Sequence, residues 1–220
     1  MLQKTTIDFL KTLKNNNNKE WFDQNRSKYE LAKADFTLLV EEVLAFLATI
    51  DAGYENLKPK DCLFRLNRDV RFSKNKSPYK TNMGAAFQIG GKKSGRAAFY
   101  FHVEPGNHFI GGGLWMPGPD ALKKVRQEID YHFDEFNKIV QQKDFIKVFK
   151  QLNQEDALKN PPKGYDAENQ AIAFLKLKSF VVGQPLKDTL VTGKDLLPQM
   201  KQVFKTMAPF IDFLNRAIAE

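Results

Sequence analysis

The fold is decided by residues 62–82, which read CLFRLNRDVRFSKNKSPYKTN. Upstream of this stretch, apolar residues recur every three or four positions, which is the spacing of a helix. At its start, Cys62, Phe64 and Leu66 occupy every second position, which is the spacing of a strand. The chain therefore changes at this point from predicted helices to predicted strands.

Alternating apolar residues continue downstream and are separated by turn residues. In chain order these features are Ala85, Phe87 and Ile89, then Gly90 to Gly95, then Phe99, Phe101 and Val103, then Pro105 to Asn107, then His108 to Ile110. Successive hairpin links predict an antiparallel meander, and the apolar run at 180–182 predicts an edge strand. The glycines at 111–113 indicate either a bulge or a close approach to the backbone.

Helices are predicted on both sides of the sheet. Thr5 or Thr6 is expected to cap a first helix, and Asn18 a second, before a long helix from about Ser27 to Ile50. Residues 58–60 are predicted to be a connector, because Pro59 removes a backbone donor. Further helices are predicted from residue 119, over 168–175 and over 196–214.

These elements together predict one α+β domain over residues 1–220. It comprises a helical segment at 1–57, an antiparallel sheet with a basic loop at 58–116, and a mainly helical segment at 117–220. We expect the helices to pack mainly on one face of the meander, as sheets with one polar face require.

Length and composition are those of an ordinary globular protein. The chain has 220 residues, of which 42% are apolar and 27% charged. It contains no run of eighteen apolar residues, and its N-terminus lacks a signal-peptide core, so we expect a cytoplasmic protein without a membrane partner. The single cysteine, Cys62, agrees with a reducing compartment. Composition leaves the oligomeric state and any cofactor open.

Positive charge is concentrated in one region. Residues 58–96 contain eleven Lys and Arg residues against two Asp residues, a net charge of +9, whereas the whole chain carries +8. The remaining residues therefore carry −1. A single basic region predicts a surface that binds an anion.

The strand pattern also predicts a polar face on the sheet. If Phe99, Phe101 and Val103 face the helices, then Tyr100, His102 and Glu104 lie together on the opposite face, because successive side chains point to opposite sides of a strand. Arg65 and Gln88 occupy the polar phase of their own predicted strands. We expect them to lie on the same face.

The basic stretch resembles a known family. Its pattern is Arg65-x-x-Arg68-Asp69-x-Arg71-Phe72-x-Lys74-Asn75-Lys76-x-x-Tyr79, similar to the defining motif of a bacterial family called domain of unknown function 2461. Further similar segments are the ones at 17–22, 78–81 and 162–165. The resemblance covers essentially the whole chain. It implies no activity, cofactor or catalytic residue, so function has to be argued from the residues.

The residues themselves favour an anion site. The candidate ligand-binding residues are Arg65, Arg68, Asp69, Arg71, Lys74, Lys76, Tyr79 and Lys80. Guanidinium groups match phosphate and carboxylate groups, and the lysines add positive charge. In the structural alternative, Asp69 pairs with Arg68 or Arg71 within a network that includes Glu20 or Glu104. One carboxylate cannot neutralise this loop, which favours an external phosphorylated or carboxylated ligand.

Two other functions are compatible with these residues. Nucleic acid could bind the same basic patch if Phe72 and Tyr79 stacked on bases, although aromatic residues in loops are more often anchored in the core. Alternatively, a hydrolase or phosphoryl-transfer enzyme could use His102 and Glu104 as weak candidates for acid-base residues beside the arginines.

Metal and nucleophile chemistry have little support in the sequence. A two-residue loop at Pro105-Gly106 would place His108 on the face opposite His102, whereas a three-residue loop would place it across from Glu104. Only the second register permits a metal site, and the three histidines lack ligand spacing, so we predict no metal. Cys62 lies on the apolar phase of its predicted strand.

Overall fold

The structure, a computed structural model, describes residues 1–219. Ten α-helices are found in this range: α1 Lys4–Asn15, α2 Lys19–Gln24, α3 Arg26–Ala48, α4 Pro59–Cys62, α5 Pro119–Tyr131, α6 Phe133–Val140, α7 Lys143–Phe149, α8 Ile172–Leu175, α9 Asp188–Val191 and α10 Leu196–Ala219. A short 3-10 helix spans Ala52–Tyr54.

Four strands form one antiparallel meander. They are β1 Met83–Phe87, β2 Ala98–Val103, β3 His108–Leu114 and β4 Phe180–Leu186, and they lie in the order β1-β2-β3-β4. The α+β class with helices at both ends is therefore confirmed. The predicted edge strand is also present as β4.

The helix caps differ in part from the prediction. Helix α1 begins one residue after Gln3, so a cap at Thr5 or Thr6 is wrong. The Gln3 amide and the Thr6 hydroxyl instead donate hydrogen bonds to Asp35 on α3. The predicted cap on α2 is confirmed, because Asn18 accepts a hydrogen bond from the amide of Trp21 at 2.9 Å.

Residues 58–67 form neither a connector nor a strand. Pro59 occupies the first position of α4, where a missing amide costs nothing, and the helix ends at Cys62. Only isolated antiparallel bridges follow, between Leu63 and Ala85 and between Asn67 and Tyr79. The strand predicted from Cys62 is therefore wrong, and the ordered sheet begins at β1.

The glycines at 111–113 allow another strand to approach closely. Strand β3 continues through them without interruption. A Cβ atom on Gly113, whose φ is +122°, would lie 2.0 Å from the carbonyl oxygen of Phe180 on β4. The second of the two predicted roles, a close approach to the backbone, is therefore correct.

The chain divides into two compact units. The first comprises Met1–Lys92, Tyr100–Ile110 and Pro185–Lys201, and the second comprises Lys93–Phe99, Gly111–Gln184 and Gln202–Glu220. In the first unit, Phe36 of α3 stacks on Phe101 of β2 with ring centroids 5.9 Å apart. Whether the chain behaves as one domain stays a prediction.

The second unit has a phenylalanine-rich core. Phe204 on α10 packs against Phe99 of β2 at 4.8 Å, and Phe213 packs against Phe136 at 5.1 Å between ring centroids. All four rings are buried. Within residues 1–219, no helix has the length and apolar character needed to cross a membrane.

Candidate functional site

The basic stretch folds into a hairpin that we call the basic hairpin, residues 65–80. Its two arms are joined by backbone hydrogen bonds from the amide of Arg68 to the carbonyl of Pro78, 2.9 Å, and from the amide of Lys80 to the carbonyl of Leu66, 2.8 Å. Residues 69–77 form its tip. The base of the hairpin, at Arg65 and Lys80, lies next to the start of β1.

The basic hairpin is anchored to the N-terminal helices. The Tyr79 ring is buried and stacks on Phe22 of α2, with centroids 4.1 Å apart. Asn17 binds both backbone groups of Tyr79, accepting from its amide at 3.0 Å and donating to its carbonyl at 2.9 Å. Tyr79 therefore anchors the hairpin to the N-terminal helices, which agrees with the expectation that aromatic residues in loops are often anchored in the core.

Three cations of the hairpin have partners within it. Arg68 donates to the Ser77 carbonyl at 3.0 Å and to the Ser73 hydroxyl at 3.3 Å. Lys76 donates to the carbonyl of Val70 at 3.1 Å. These bonds join the two sides of the hairpin to each other.

The third of these cations, Arg71, forms a bidentate pair with Asp69, with N···O distances of 3.0 and 2.6 Å. Of the two arginines proposed as partners of Asp69, Arg71 is therefore the one that pairs. The guanidinium hydrogen bonds hold the pKa of the Asp69 carboxyl below its usual range. Both side chains are largely exposed, so the pair lies in water and is not part of a buried network.

Three other cations lack such partners. The side chains of Arg65 and Lys74 form no hydrogen bond or ion pair with residues 1–219. The ammonium group of Lys80 lies over the Phe64 ring, 5.4 Å from its centroid, and has no carboxylate partner in the described chain. Burial lowers the pKa of Lys80, and the nearby charge of Arg65 lowers it further.

Phe64 lies at the centre of this group. Its side chain is partly exposed, and Tyr100 meets it edge-on at 6.2 Å between centroids. Lys92 approaches the same ring at 5.8 Å while donating a hydrogen bond to the carbonyl of Lys60 at 2.9 Å. Lys80 and Lys92 thus lie beside an exposed aromatic ring.

The polar face of β2 carries a chain of hydrogen bonds. The Tyr100 hydroxyl lies 3.0 Å from Nδ1 of His102, and Nε2 of His102 lies 3.4 Å from Oε2 of Glu104. Thr81 and Asn107 also donate to Glu104, at 2.8 and 3.1 Å. The prediction that Tyr100, His102 and Glu104 share one face is confirmed.

Burial and hydrogen bonds set the protonation of this face. Burial raises the pKa of Tyr100 to about 12 and lowers the pKa of His102. Burial alone would raise the pKa of Glu104, but hydrogen bonds from Asn107, Thr81 and His102 lower it overall. At neutral pH the arrangement is therefore a neutral phenol, a neutral imidazole and a carboxylate.

His102 has no free nitrogen for a substrate. As a neutral ring it accepts from Tyr100 through Nδ1 and donates to Glu104 through Nε2, a tautomer assigned from this network. One face of its ring also stacks on Phe109 at 4.8 Å. A base role for His102 would consequently have to be exerted through Tyr100.

His108 lies on the other side of the strand. The amide of Asn107 donates to the carbonyl of Glu104 at 2.8 Å, which closes a two-residue turn at Pro105-Gly106. The imidazole of His108 is fully buried, and Nε2 lies 3.2 Å from Oδ1 of Asp188 in an orientation that is not a hydrogen bond. The two-residue register separates His102 from His108. Among residues 1–219, no three His, Cys, Asp or Glu side chains are grouped to hold a metal.

A comparison with protein-family models matches residues 5–213 to the family described as "Conserved hypothetical protein (DUF2461)". The chain belongs to this family. The match confirms the resemblance inferred from the basic stretch. Searches of curated proteins and of solved structures gave no match.

Sequence reasoning on this DUF2461 protein missed Phe64, Lys92 and Asn17. Alternation places Phe64 on the apolar phase of a predicted strand, and a lone phenylalanine carries no signal of its exposure. Lys92 was counted in the basic region but not in the site. The bonds from Asn17 to Tyr79 span 62 positions, a distance over which sequence spacing gives no information.

Proposed function

We propose that this protein binds a small phosphorylated or carboxylated ligand at the base of the basic hairpin, with Arg65 and Lys80 as the principal binding cations. The observation that carries the proposal is that neither side chain forms a hydrogen bond or an ion pair with a carboxylate of residues 1–219, and Arg65 acts on Asp69 only at longer range. Each of these cations can therefore bind an acidic group of a ligand.

Electrostatics support this location. Lys80 is half-buried, so part of its hydration is lost without an ion pair to compensate. Arg65 adds a second positive charge close enough to lower the pKa of Lys80. An anion bound to both groups would relieve their repulsion and would restore the interactions that burial removes.

The ligand is expected to carry an apolar part as well as an acidic group. The exposed ring of Phe64 lies beside Lys80 and Lys92, and the edge of Tyr100 closes one side of it. Sites of this kind combine an apolar wall with a few polar groups that fix the orientation of the ligand. Of the remaining candidates of the motif, Arg68, Asp69, Arg71, Lys76 and Tyr79 build the hairpin in this proposal, and Lys74 lies at its tip.

A ligand screen with matched variants tests the proposal. Thermal shift and calorimetry with phosphorylated and carboxylated aromatic compounds, at fixed ionic strength, should identify a ligand for the wild type. Lys80→Met and Arg65→Met should each weaken its binding at least tenfold, which corresponds to about 1.4 kcal/mol. Lys74→Met removes the same charge from the hairpin tip and serves as the control.

The control separates a specific site from general attraction. Lys74→Met should change the affinity for the small ligand by less than about twofold, the size expected of an exposed charge. An equal loss in Lys74→Met and Lys80→Met would show that total charge governs binding, and the proposed site would be rejected. The same conclusion would follow if no compound in the panel bound to the wild type.

A further inference from the structure

Phe72, at the tip of the basic hairpin, is almost completely exposed. Its accessible fraction is 96%, whereas Tyr79, the other aromatic residue of the hairpin, is buried at 6%. Exposure of a phenylalanine forgoes about 1.5–3 kcal/mol of burial free energy. A single exposed apolar side chain is common on protein surfaces, so the inference rests on the loop that holds Phe72 and on the charges near it.

The loop around Phe72 is braced by internal bonds that keep the ring away from the body of the protein. Arg68 binds the far arm through the Ser77 carbonyl and the Ser73 hydroxyl. Lys76 binds the carbonyl of Val70, and the amide of Ser77 donates to Asn75 at 2.9 Å. The tip therefore presents Phe72 from a preformed loop, which lowers the entropic cost of binding.

One cation lies over the exposed ring, and another is close to it in the chain. The guanidinium carbon of Arg71 lies 5.8 Å from the centroid of Phe72. Lys74 is two residues away and has no hydrogen bond or ion pair within residues 1–219. Residues 69–77 carry three cations and one carboxylate, a net charge of +2. The tip thus combines an aromatic face with positive charge, the pairing used to bind single strands of nucleic acid.

We propose that the hairpin tip binds single-stranded nucleic acid. A base stacks on the free face of Phe72, and Lys74 and Arg71 contact the phosphates that flank it. This inference concerns the tip and does not depend on the small-ligand site at Arg65 and Lys80. Stacking tolerates any base, so the tip binds without strong sequence preference.

The chemistry of the tip favours nucleic acid over an anionic membrane. Phe72 is the only large apolar side chain between residues 69 and 77. Stable membrane anchoring requires a larger apolar surface or a second anchor.

The test uses the full chain and a fluorescein-labelled 12-nucleotide oligothymidylate, with binding measured by anisotropy at 50 mM salt. Phe72→Ala should weaken binding about fivefold to a hundredfold, the range found when a stacking aromatic residue is removed. Phe72→Trp should restore it and should show quenching of the new indole. Leu38→Ala, which removes another exposed apolar side chain on α3, is the matched control and should not change binding.

Several results would overturn the inference. These are no binding of the oligonucleotide by the wild type, equal binding by Phe72→Ala and wild type, or Phe72-dependent binding to phosphatidylserine vesicles but not to the oligonucleotide. Lys80→Met distinguishes this proposal from the small-ligand site. If Lys80→Met abolishes small-ligand binding while no variant binds the oligonucleotide, the site at the hairpin base stands and the tip proposal fails.

Discussion

At the scale of single residues, the run Asn15-Asn16-Asn17-Asn18 shows how one residue type takes several roles. Asn18 caps α2, and Asn16 donates to the carbonyl of Thr12 within the last turn of α1. Asn17 alone reaches the basic hairpin, where it binds the amide and the carbonyl of Tyr79. The sequence predicted the cap, because capping is a local pattern, but it held no signal for the bonds from Asn17.

Asn17→Ala should destabilise the protein. The substitution leaves two partly buried backbone groups of Tyr79 without partners, and each unpaired group of this kind costs about 1–3 kcal/mol. We expect a lower free energy of unfolding, measured by urea denaturation, with an unchanged m-value. Asn16→Ala is the control, and its change should stay within about 0.5 kcal/mol because its bond is exposed. Equal effects of the two substitutions would contradict the anchoring role of Asn17.

The ion pairs of the basic hairpin could not be predicted from the sequence either. The charge surplus correctly indicated that one carboxylate could not neutralise the loop. It could not show which arginine pairs with Asp69, because Arg68 and Arg71 are equally basic and both lie within two residues of it. In the structure Arg68 binds the Ser77 carbonyl, and Arg71 is the arginine that pairs with Asp69.

At the scale of elements, alternation predicted the strands wherever one face is truly buried. Phe99, Phe101 and Val103 are all buried, so the period of two in β2 reports its packing. The same period at Cys62, Phe64 and Leu66 was misleading. Cys62 and Leu66 are buried, but Phe64 is partly exposed beside Lys80. The two runs have the same length and spacing, so this pattern alone does not distinguish a strand from a helix end followed by a bridge.

Gly84 of β1 is required by its neighbour across the sheet. A Cβ atom there would lie 2.5 Å from the Tyr100 hydroxyl oxygen and 3.2 Å from Cζ of the same ring. Gly84→Ala should therefore displace the hydroxyl and break its bond to His102, with an expected loss of about 1–3 kcal/mol from overpacking. Urea unfolding measures this loss.

A double-mutant cycle isolates the contact between Gly84 and Tyr100. In a Tyr100→Phe background the clashing oxygen is absent, so Gly84→Ala should cost less than it does in the wild type. The coupling free energy between the two positions should reach about 0.5 kcal/mol or more, the lower end of what contacting residues show. Additive effects would mean that the hydroxyl moves aside without cost, and the proposed constraint on β1 would be wrong.

At the scale of the whole molecule, the fold class could be predicted from the sequence, whereas the contacts between side chains could not. Amphipathic spacing depends on which faces are buried, and it was sufficient for the α+β class, the order of elements and the meander. Arg65, Lys74 and Lys80 lie within residues 58–96, the segment with a net charge of +9, and the anion site assigned to this segment stays a prediction. The exposed ring of Phe64 and the bracing of the hairpin tip depend on contacts between distant segments, which no local pattern encodes.

The stability of the whole chain should fall as the pH is lowered through the range of histidine titration. The chain has three histidines. Burial lowers the pKa of His102, which faces Glu104, Tyr100 and Lys80, and that of His108, which faces Asp188 and Lys11. Below about pH 6.5 the unfolded chain binds protons at these rings before the folded chain does, so the free energy of unfolding decreases with acidification.

Urea unfolding at pH 7.5, 6.5 and 5.5 measures this dependence. His108→Leu removes one titrating group from the buried side of β3, so its free energy of unfolding should fall less between pH 7.5 and 5.5 than that of the wild type, whatever its value at pH 7.5. A slope in His108→Leu as steep as in the wild type would show that the imidazole of His108 gains a proton as readily when folded as when unfolded. That result would contradict the effect assigned to its burial, because the proton could then be accommodated by Asp188 at 3.2 Å.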